Sequence, residues 1–201
     1  MPNALPQWIF ATNNAHKLEE VRAMLSDFAQ ILSLNEVHVN QDIPETADTF
    51  EGNALIKAQT IFELTGLPCF ADDSGLCVSA LNGAPGVKSA RYANDHGPVD
   101  HQANNVKLLK ALENQSNREA FFISVICLAG LTPEPIFFEG RVQGTIAGEL
   151  AGHDGFGYDP LFIPEGYNQT FAELGSEIKN QFSHRANAIA KLRTYLSSQT
   201  V

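Results

Sequence analysis

Cations are scarce in this chain: 13 lysines and arginines stand against 23 aspartates and glutamates, for a net charge of −10. That balance excludes a broad nucleic-acid or anionic-membrane surface, which needs clustered Lys and Arg. A small anionic ligand stays possible if the few cations gather at one place or a metal ion supplies charge. Long apolar runs are also missing. None approaches the ~20 residues of a membrane-spanning helix, and Met1-Pro2-Asn3-Ala4-Leu5-Pro6 has neither a basic n-region nor an apolar h-region, so no secretory leader is expected. The three cysteines, Cys69, Cys77 and Cys127, lie inside apolar runs and are odd in number. That argues against a disulfide frame or a zinc site; they read as small buried hydrophobes in a reducing compartment, and cytoplasm is the expectation. Internal repeats, low-complexity tracts and linkers are absent as well. With 44% hydrophobic residues in a length of 201, the chain can bury a sizeable core, as one domain or two closely joined lobes.

What is present centres on Pro68-Cys69-Phe70-Ala71-Asp72-Asp73-Ser74-Gly75-Leu76-Cys77-Val78. An apolar run drives into adjacent carboxylates, and a second apolar run follows. Short apolar runs bounded by turn residues read as buried strands, so Asp72 and Asp73 are expected where a core strand ends. Strand side chains alternate, so one carboxylate can face a ligand while the other is tied into the structure. Like charges this close repel unless a cation lies between them. Mg²⁺ suits that place, because it binds through one or two carboxylates and completes its shell with water and substrate phosphate. A plain polar turn is the competing reading of Asp-Asp-Ser-Gly.

Around this stretch the chain alternates strands and helices. Trp8-Ile9-Phe10-Ala11 predicts a strand, Thr12-Asn13-Asn14-Ala15-His16-Lys17 a polar loop, and apolar residues at helical spacing predict a helix over 17–28. A loop that opens a helix can cradle an anion on backbone N–H groups. Lys17 in the first turn is disfavoured by the helix dipole unless an anion lies beside it; an Asn-rich cap with an exposed Lys reads equally well. Residues 31–39 predict a strand region, and the acidic loop Asp42-Ile43-Pro44-Glu45-Thr46-Ala47-Asp48 follows. Thr49 can cap a helix over 50–65 that Gly66 and Pro68 end. Lys57 is polar on that core-facing helix, where a lysine usually snorkels to solvent. A helix is predicted over 100–112, burying Val106, Leu108, Leu109 and Leu112. A central strand is predicted over 120–131; Ile136-Phe137-Phe138 and Val142 fit its antiparallel neighbour, and 144–154 reads as strand and loop. Leu161-Phe162-Ile163 predicts a short strand, and Ser183-His184-Arg185 opens a last helix running to about residue 196. The pattern argues for α/β with a mixed sheet.

The carboxylate pair, the polar loop before a helix, the aromatic loop Gly155-Phe156-Gly157-Tyr158-Asp159-Pro160 and the cations Lys17, Lys57, Lys179 and Arg185 coincide in one chain. Metal with phosphate-holding cations suggests phosphoryl or nucleotidyl chemistry, in which catalysis is mostly positioning and charge neutralisation. Aromatics beside Arg and His suggest a base-stacking pocket. The residues alone thus point to a metal-dependent nucleotide hydrolase. A silent nucleotide-binding module and a pyrophosphatase for other triphosphates stay open.

These motifs, with Thr49-Phe50-Glu51-Gly52-Asn53-Ala54, Gly83-Ala84-Pro85-Gly86 and Ser89-Ala90-Arg91-Tyr92, occur in the order in which the chain resembles the inosine triphosphate pyrophosphatase family of bacterial type, across essentially its whole length. The resemblance implies a single domain over 1–201 with an α/β fold, two lobes around a long mixed β-sheet and the active-site cleft between them. It implies hydrolysis of ITP, dITP and XTP to the monophosphate and pyrophosphate, with Mg²⁺, by a homodimer. It implies Asp73 as catalytic residue and metal ligand, Glu45 as second metal carboxylate, and Ser74 as substrate contact. Thr12, Asn13, Asn14, Ala15, His16, Lys17 and Lys57 would hold the phosphates. Phe156, Gly157, Tyr158, Asp159, Lys179, His184 and Arg185 would complete the substrate contacts, with Phe156 stacked on the base. Asn13 stands where the family usually has glycine, and Pro44 precedes Glu45 where the family often has consecutive glutamates. Arg91 and Tyr92 are expected to pack or to wall the cleft.

Overall fold

The structure, a computed structural model, describes residues 5–94 and 96–199. Residues 1–4, most of the stretch read above for a leader, lie outside the described residues. Its strands are β1 (Gln7–Phe10), β2 (Gln30–Leu32), β3 (Cys69–Val78), β4 (Glu119–Ala129), β5 (Ile136–Ile146) and β6 (Phe162–Pro164), and its helices are α1 (Ala15–Leu25), α2 (Phe50–Thr65), α3 (His101–Ala111), α4 (Phe171–Phe182) and α5 (His184–Ser198). The strands form one six-stranded sheet in the order β2-β1-β3-β4-β5-β6. β1 runs parallel to both β2 and β3, whereas β6 runs antiparallel to β5. β4 and β5 are neighbours joined through residues 130–135, too short a link for a parallel crossover, so they too are antiparallel. The α/β class with a mixed sheet is what the structure shows. Among the described residues no helix is long and apolar enough to cross a membrane.

The chain divides into two compact units: Met1–Asp73, Ser124–Gly140 and Ala186–Val201 make the first, and Ser74–Ile123 with Arg141–Arg185 the second. In the first unit the strands alternate between two apolar layers. Phe10, Phe70, Ile126 and Leu128 pack with Val21 and Leu25 of α1 and Ile189 and Leu192 of α5. Ile9, Cys69, Ala71, Cys127 and Ala129 pack with Ala54, Ala58 and Ile61 of α2. Each strand position therefore chooses its helix by parity. In the second unit Leu76, Val78, Phe122, Ile146 and Phe162 pack with Leu108 of α3 and Phe171 of α4.

Residues 31–39 are not a strand throughout. Pairing stops at Leu32, and a 3-10 turn (Asn35–Val37) follows. Ser33 donates from both its N–H and its hydroxyl to Glu36, and His38 takes a left-handed φ of 59°, so local bonds replace the ladder. Val106 is exposed, because the buried face of α3 is taken by Asn104 and Asn105 with Leu108. Their amide nitrogens are used there: Asn104 donates to the Ala90 carbonyl and Asn105 to that of Gly157. α4, which a kink at Gly175 (φ 82°, ψ 165°) interrupts, is not among the elements expected above, although its start is written in the sequence. Thr170 and Glu173 form a reciprocal capping box.

Candidate active site

β3 does not end at the carboxylate pair. It runs unbroken from Cys69 to Val78, so Asp72 and Asp73 are mid-strand, 1% and 5% exposed, and the polar-turn reading fails. Parity sends them to opposite faces of the sheet. Asp72 shares the parity of Phe70, the layer covered by α1. There Lys17 Nζ lies 3.0 Å from Asp72 Oδ1. This carboxylate is the anion that a lysine in the first turn of α1 requires. Asp73 shares the parity of Ala71, the layer covered by α2. Asn53 and Lys57 lie one helical turn apart on α2, so both reach it. Asn53 Nδ2 donates to Asp73 Oδ2 at 3.1 Å, and Lys57 Nζ stands 3.5 Å from Asp73 Oδ1. Lys57 is 8% exposed and does not snorkel; its ammonium also holds Glu45 Oε1 at 2.6 Å.

The electrostatics follow from that crowding. Burial pushes the Asp73 carboxyl above the usual carboxylate range, and the pull of Lys57 and Lys17 does not fully reverse it. Burial also opposes the charge on Glu45, but Lys57 beside it overrides this and leaves Glu45 below its usual value. For Lys57, burial lowers and the charges of Asp73 and Glu45 raise; the net direction is up. Glu45 and Asp73 thus converge on one cation. Among the described residues no group of three or more His, Cys, Asp or Glu could by itself hold a metal ion. A pair of hard carboxylate oxygens is the donor set of a magnesium site shared with a phosphorylated ligand.

At the start of α1, Asn14 is the cap, accepting from the Lys17 N–H at 3.1 Å, and Thr12 Oγ1 accepts from the Asn14 N–H. Asn13, Ala15 and His16 are exposed there.

A second cluster lies in the second unit, which Ser74 opens directly after Asp73. Arg185, 1% exposed, donates to Ser74 Oγ at 3.0 Å. Lys179 is buried against Asp159 Oδ2 at 2.7 Å and stands 4.8 Å above the ring of Phe156. The same Asp159 oxygen accepts from the Phe156 N–H at 2.9 Å. Gly155, with φ of +77°, has no room for a Cβ, which would sit inside that carboxylate. Tyr158 is buried and donates to the Ser89 carbonyl. His184 stacks on Phe122 at 4.8 Å. Tyr92 is half-buried against this unit's core and Arg91 is exposed. Asn53 and Asn105 were given no role by the sequence. The spacing of Asn53 and Lys57 on α2 carried the signal for the first; nothing local marked the second.

The fold and these clusters define an enzyme of mixed α/β class whose scarce cations are set against buried carboxylates, the make-up of a phosphate-handling protein. The chain belongs to the Ham1 family, whose model matches residues 8–195. It is 54% identical over 189 residues to the dITP/XTP pyrophosphatase of Porphyromonas gingivalis, covering 94% of this chain and 96% of that protein. It is 48% identical to the dITP/XTP pyrophosphatase of Flavobacterium johnsoniae over 94% of this chain and 97% of that one. The structure of the Staphylococcus aureus Ham1 protein superposes with a TM-score of 0.86 at 39% identity, over 96% of this chain and 100% of that one.

Proposed function

We propose that this chain hydrolyses the α–β phosphoanhydride of deaminated purine nucleoside triphosphates (ITP, dITP and XTP), yielding the monophosphate and pyrophosphate and clearing these nucleotides from the precursor pool. The observation that carries the chemistry is Asp73, a buried carboxylate held by Asn53 and Lys57. Relatives about half identical to it, named as dITP/XTP pyrophosphatases, supply the substrate class. Asp73 is poised to take a proton from water as that water attacks the α-phosphorus. The P–O bond to the bridging oxygen breaks, and pyrophosphate leaves with the bond's electrons. Asp73 and Glu45 would hold Mg²⁺, which when bound neutralises charge on the phosphates. Lys17 and Lys57 would add positive charge there, and the 12–17 segment, through Thr12, Asn13, Asn14, Ala15 and His16, would supply polar contacts.

For the base, Phe156 would stack, with Gly157 and Tyr158 shaping the loop and Asp159 and Lys179 fixing its edge. Ser74 would contact substrate, and His184 with Arg185 would complete the pocket. A guanidinium donates only, so Arg185 matches the 6-oxo acceptor of hypoxanthine and xanthine and mismatches the 6-amino donor of adenine. Such a mismatch can discriminate by ~10⁴. The same reading takes the whole chain as one catalytic domain, working as a cytoplasmic homodimer; sedimentation at micromolar concentration is expected to give twice the chain mass.

Pyrophosphate release from ITP, ATP and GTP, with Mg²⁺ and then with chelator, tests the proposal. Metal-dependent cleavage of ITP with little from ATP is expected. Orthophosphate as the first product would overturn the reaction, and equal cleavage of ITP and ATP would overturn the role of Arg185.

A further inference from the structure

Asn53 does more than hold Asp73: it is 2% exposed and its amide is used at both ends. Nδ2 donates to Asp73 Oδ2 at 3.1 Å, and Oδ1 accepts from the Ala47 N–H at 2.8 Å. Ala47 belongs to the acidic loop that carries Glu45. One short, neutral side chain therefore ties the buried carboxylate on β3 to the segment bearing the other carboxylate. The helix does not need this amide for its own start, because Thr49 already caps the Gly52 N–H at 3.0 Å. Gly52 adds a steric condition: a Cβ there would stand 2.5 Å from the Ala47 Cβ, so the loop lies where only glycine lets it.

We propose that Asn53 is a positioning residue that latches the Glu45 loop to Asp73 and so sets the spacing at which both carboxylates reach one hard cation. The inference rests on the function proposed above. Asparagine suits the place because one planar group donates and accepts at once. Aspartate would only accept and would add a third carboxylate around Lys57. Alanine would leave Asp73 Oδ2 and the Ala47 N–H without these partners, and losing partners that orient metal ligands typically costs about 10–100-fold in metal affinity or activity.

The test compares the parent with Asn53→Ala and Gly52→Ala. Binding is read by titrating Mn²⁺ in the presence of a triphosphate whose α–β bridge is a methylene, following the free ion by electron paramagnetic resonance. Pyrophosphate release from ITP gives kcat and KM alongside. Asn53→Ala is expected to weaken Mn²⁺ about 10–100-fold and to lower kcat more than it raises KM. Gly52→Ala, which leaves the Asn53–Asp73 bond in place, is expected to weaken Mn²⁺ in the same direction with the smaller loss of kcat. Parental Mn²⁺ affinity in a folded Asn53→Ala overturns the latch. If that variant fails to fold, parental affinity in Gly52→Ala overturns it instead. An active parent beside variants of unchanged Mn²⁺ affinity sinks the latch alone, whereas a parent that leaves ITP uncleaved sinks the function and the latch with it.

Discussion

Burial makes the ionised form of Asp73 costly and pushes its carboxyl upward, and Lys57 and Lys17 only partly offset this. Asp73→Asn keeps the volume and the acceptor for Asn53 but removes the proposed proton acceptor, and turnover of ITP is expected to vanish while the fold persists. Its stability should change in a defined sense. A carboxyl raised above its unfolded value is not penalised below the unfolded pKa, and its contribution to stability is lost as pH rises through the folded value. With metal chelated, Asp73→Asn and the parent should therefore unfold alike at acid pH, with the variant gaining over the parent as pH approaches 7. Thermal melts across pH check this, and a parent more stable than the variant at neutral pH would contradict it. Lys57 acts in the opposite direction, because its charge lowers Asp73. Replacing it by Met is expected to shift the acidic limb of kcat/KM to higher pH, read from an ITP pH profile.

The elements turn single residues into a site. β3 carries Asp72 to Lys17 of α1 and Asp73 to Lys57 of α2 because neighbouring strand positions face opposite ways. α4 delivers Lys179 to Asp159, and its start depends on Thr170, which is 1% exposed and also donates to the Ala151 carbonyl at 2.8 Å. Thr170→Ala is expected to cost about 1–2 kcal/mol. In a chain of this size each kcal/mol moves Tm down by roughly 2–4 °C. A thermal melt with the parent's midpoint would mean the box is not needed. In the aromatic loop, Gly155→Ala forces a Cβ against Asp159 at a φ of +77°. It should loosen Asp159 from the Phe156 N–H and from Lys179, raising KM for ITP while kcat changes less. A KM equal to the parent's would separate this loop from base recognition.

Across the molecule, the three cysteines are buried, and burial pushes the thiols of Cys69 and Cys127 up to about 12. A thiolate is the reactive form, so a thiol reagent is expected to leave the native chain unlabelled at pH 7 and to label it fully in denaturant. Bound ITP analogue with Mg²⁺ should slow labelling at intermediate denaturant, since a ligand that binds only the folded state stabilises it by mass action. The net charge of −10 is compatible with a polyanionic substrate because Lys17, Lys57, Lys179 and Arg185 are spent inside the clusters rather than spread over the surface.

The alternation of apolar runs and helical spacing by itself determined the α/β class and several elements closely: α2 starts after Thr49 and ends before Gly66 as its capping residues require, and β4 and α5 lie where apolar patterning puts them, whereas β3 runs on past the carboxylate pair that was expected to end it. The order of the motifs determined the family. Residues 31–39 depart from the expected strand because Ser33 and Glu36 bond locally in place of a ladder, and Val106 departs from its expected burial because Asn105 takes the buried face and donates to a carbonyl there. Which charge meets which was decided only in three dimensions. Lys17 and Asp72 are 55 residues apart, and Lys179 and Asp159 are 20 apart. Periodicity places a residue on a face, but the partner on that face comes from whichever element packs there. That is why Asn53 could be quoted from a motif yet acquire a role only once Asp73 and Ala47 stood at its two ends.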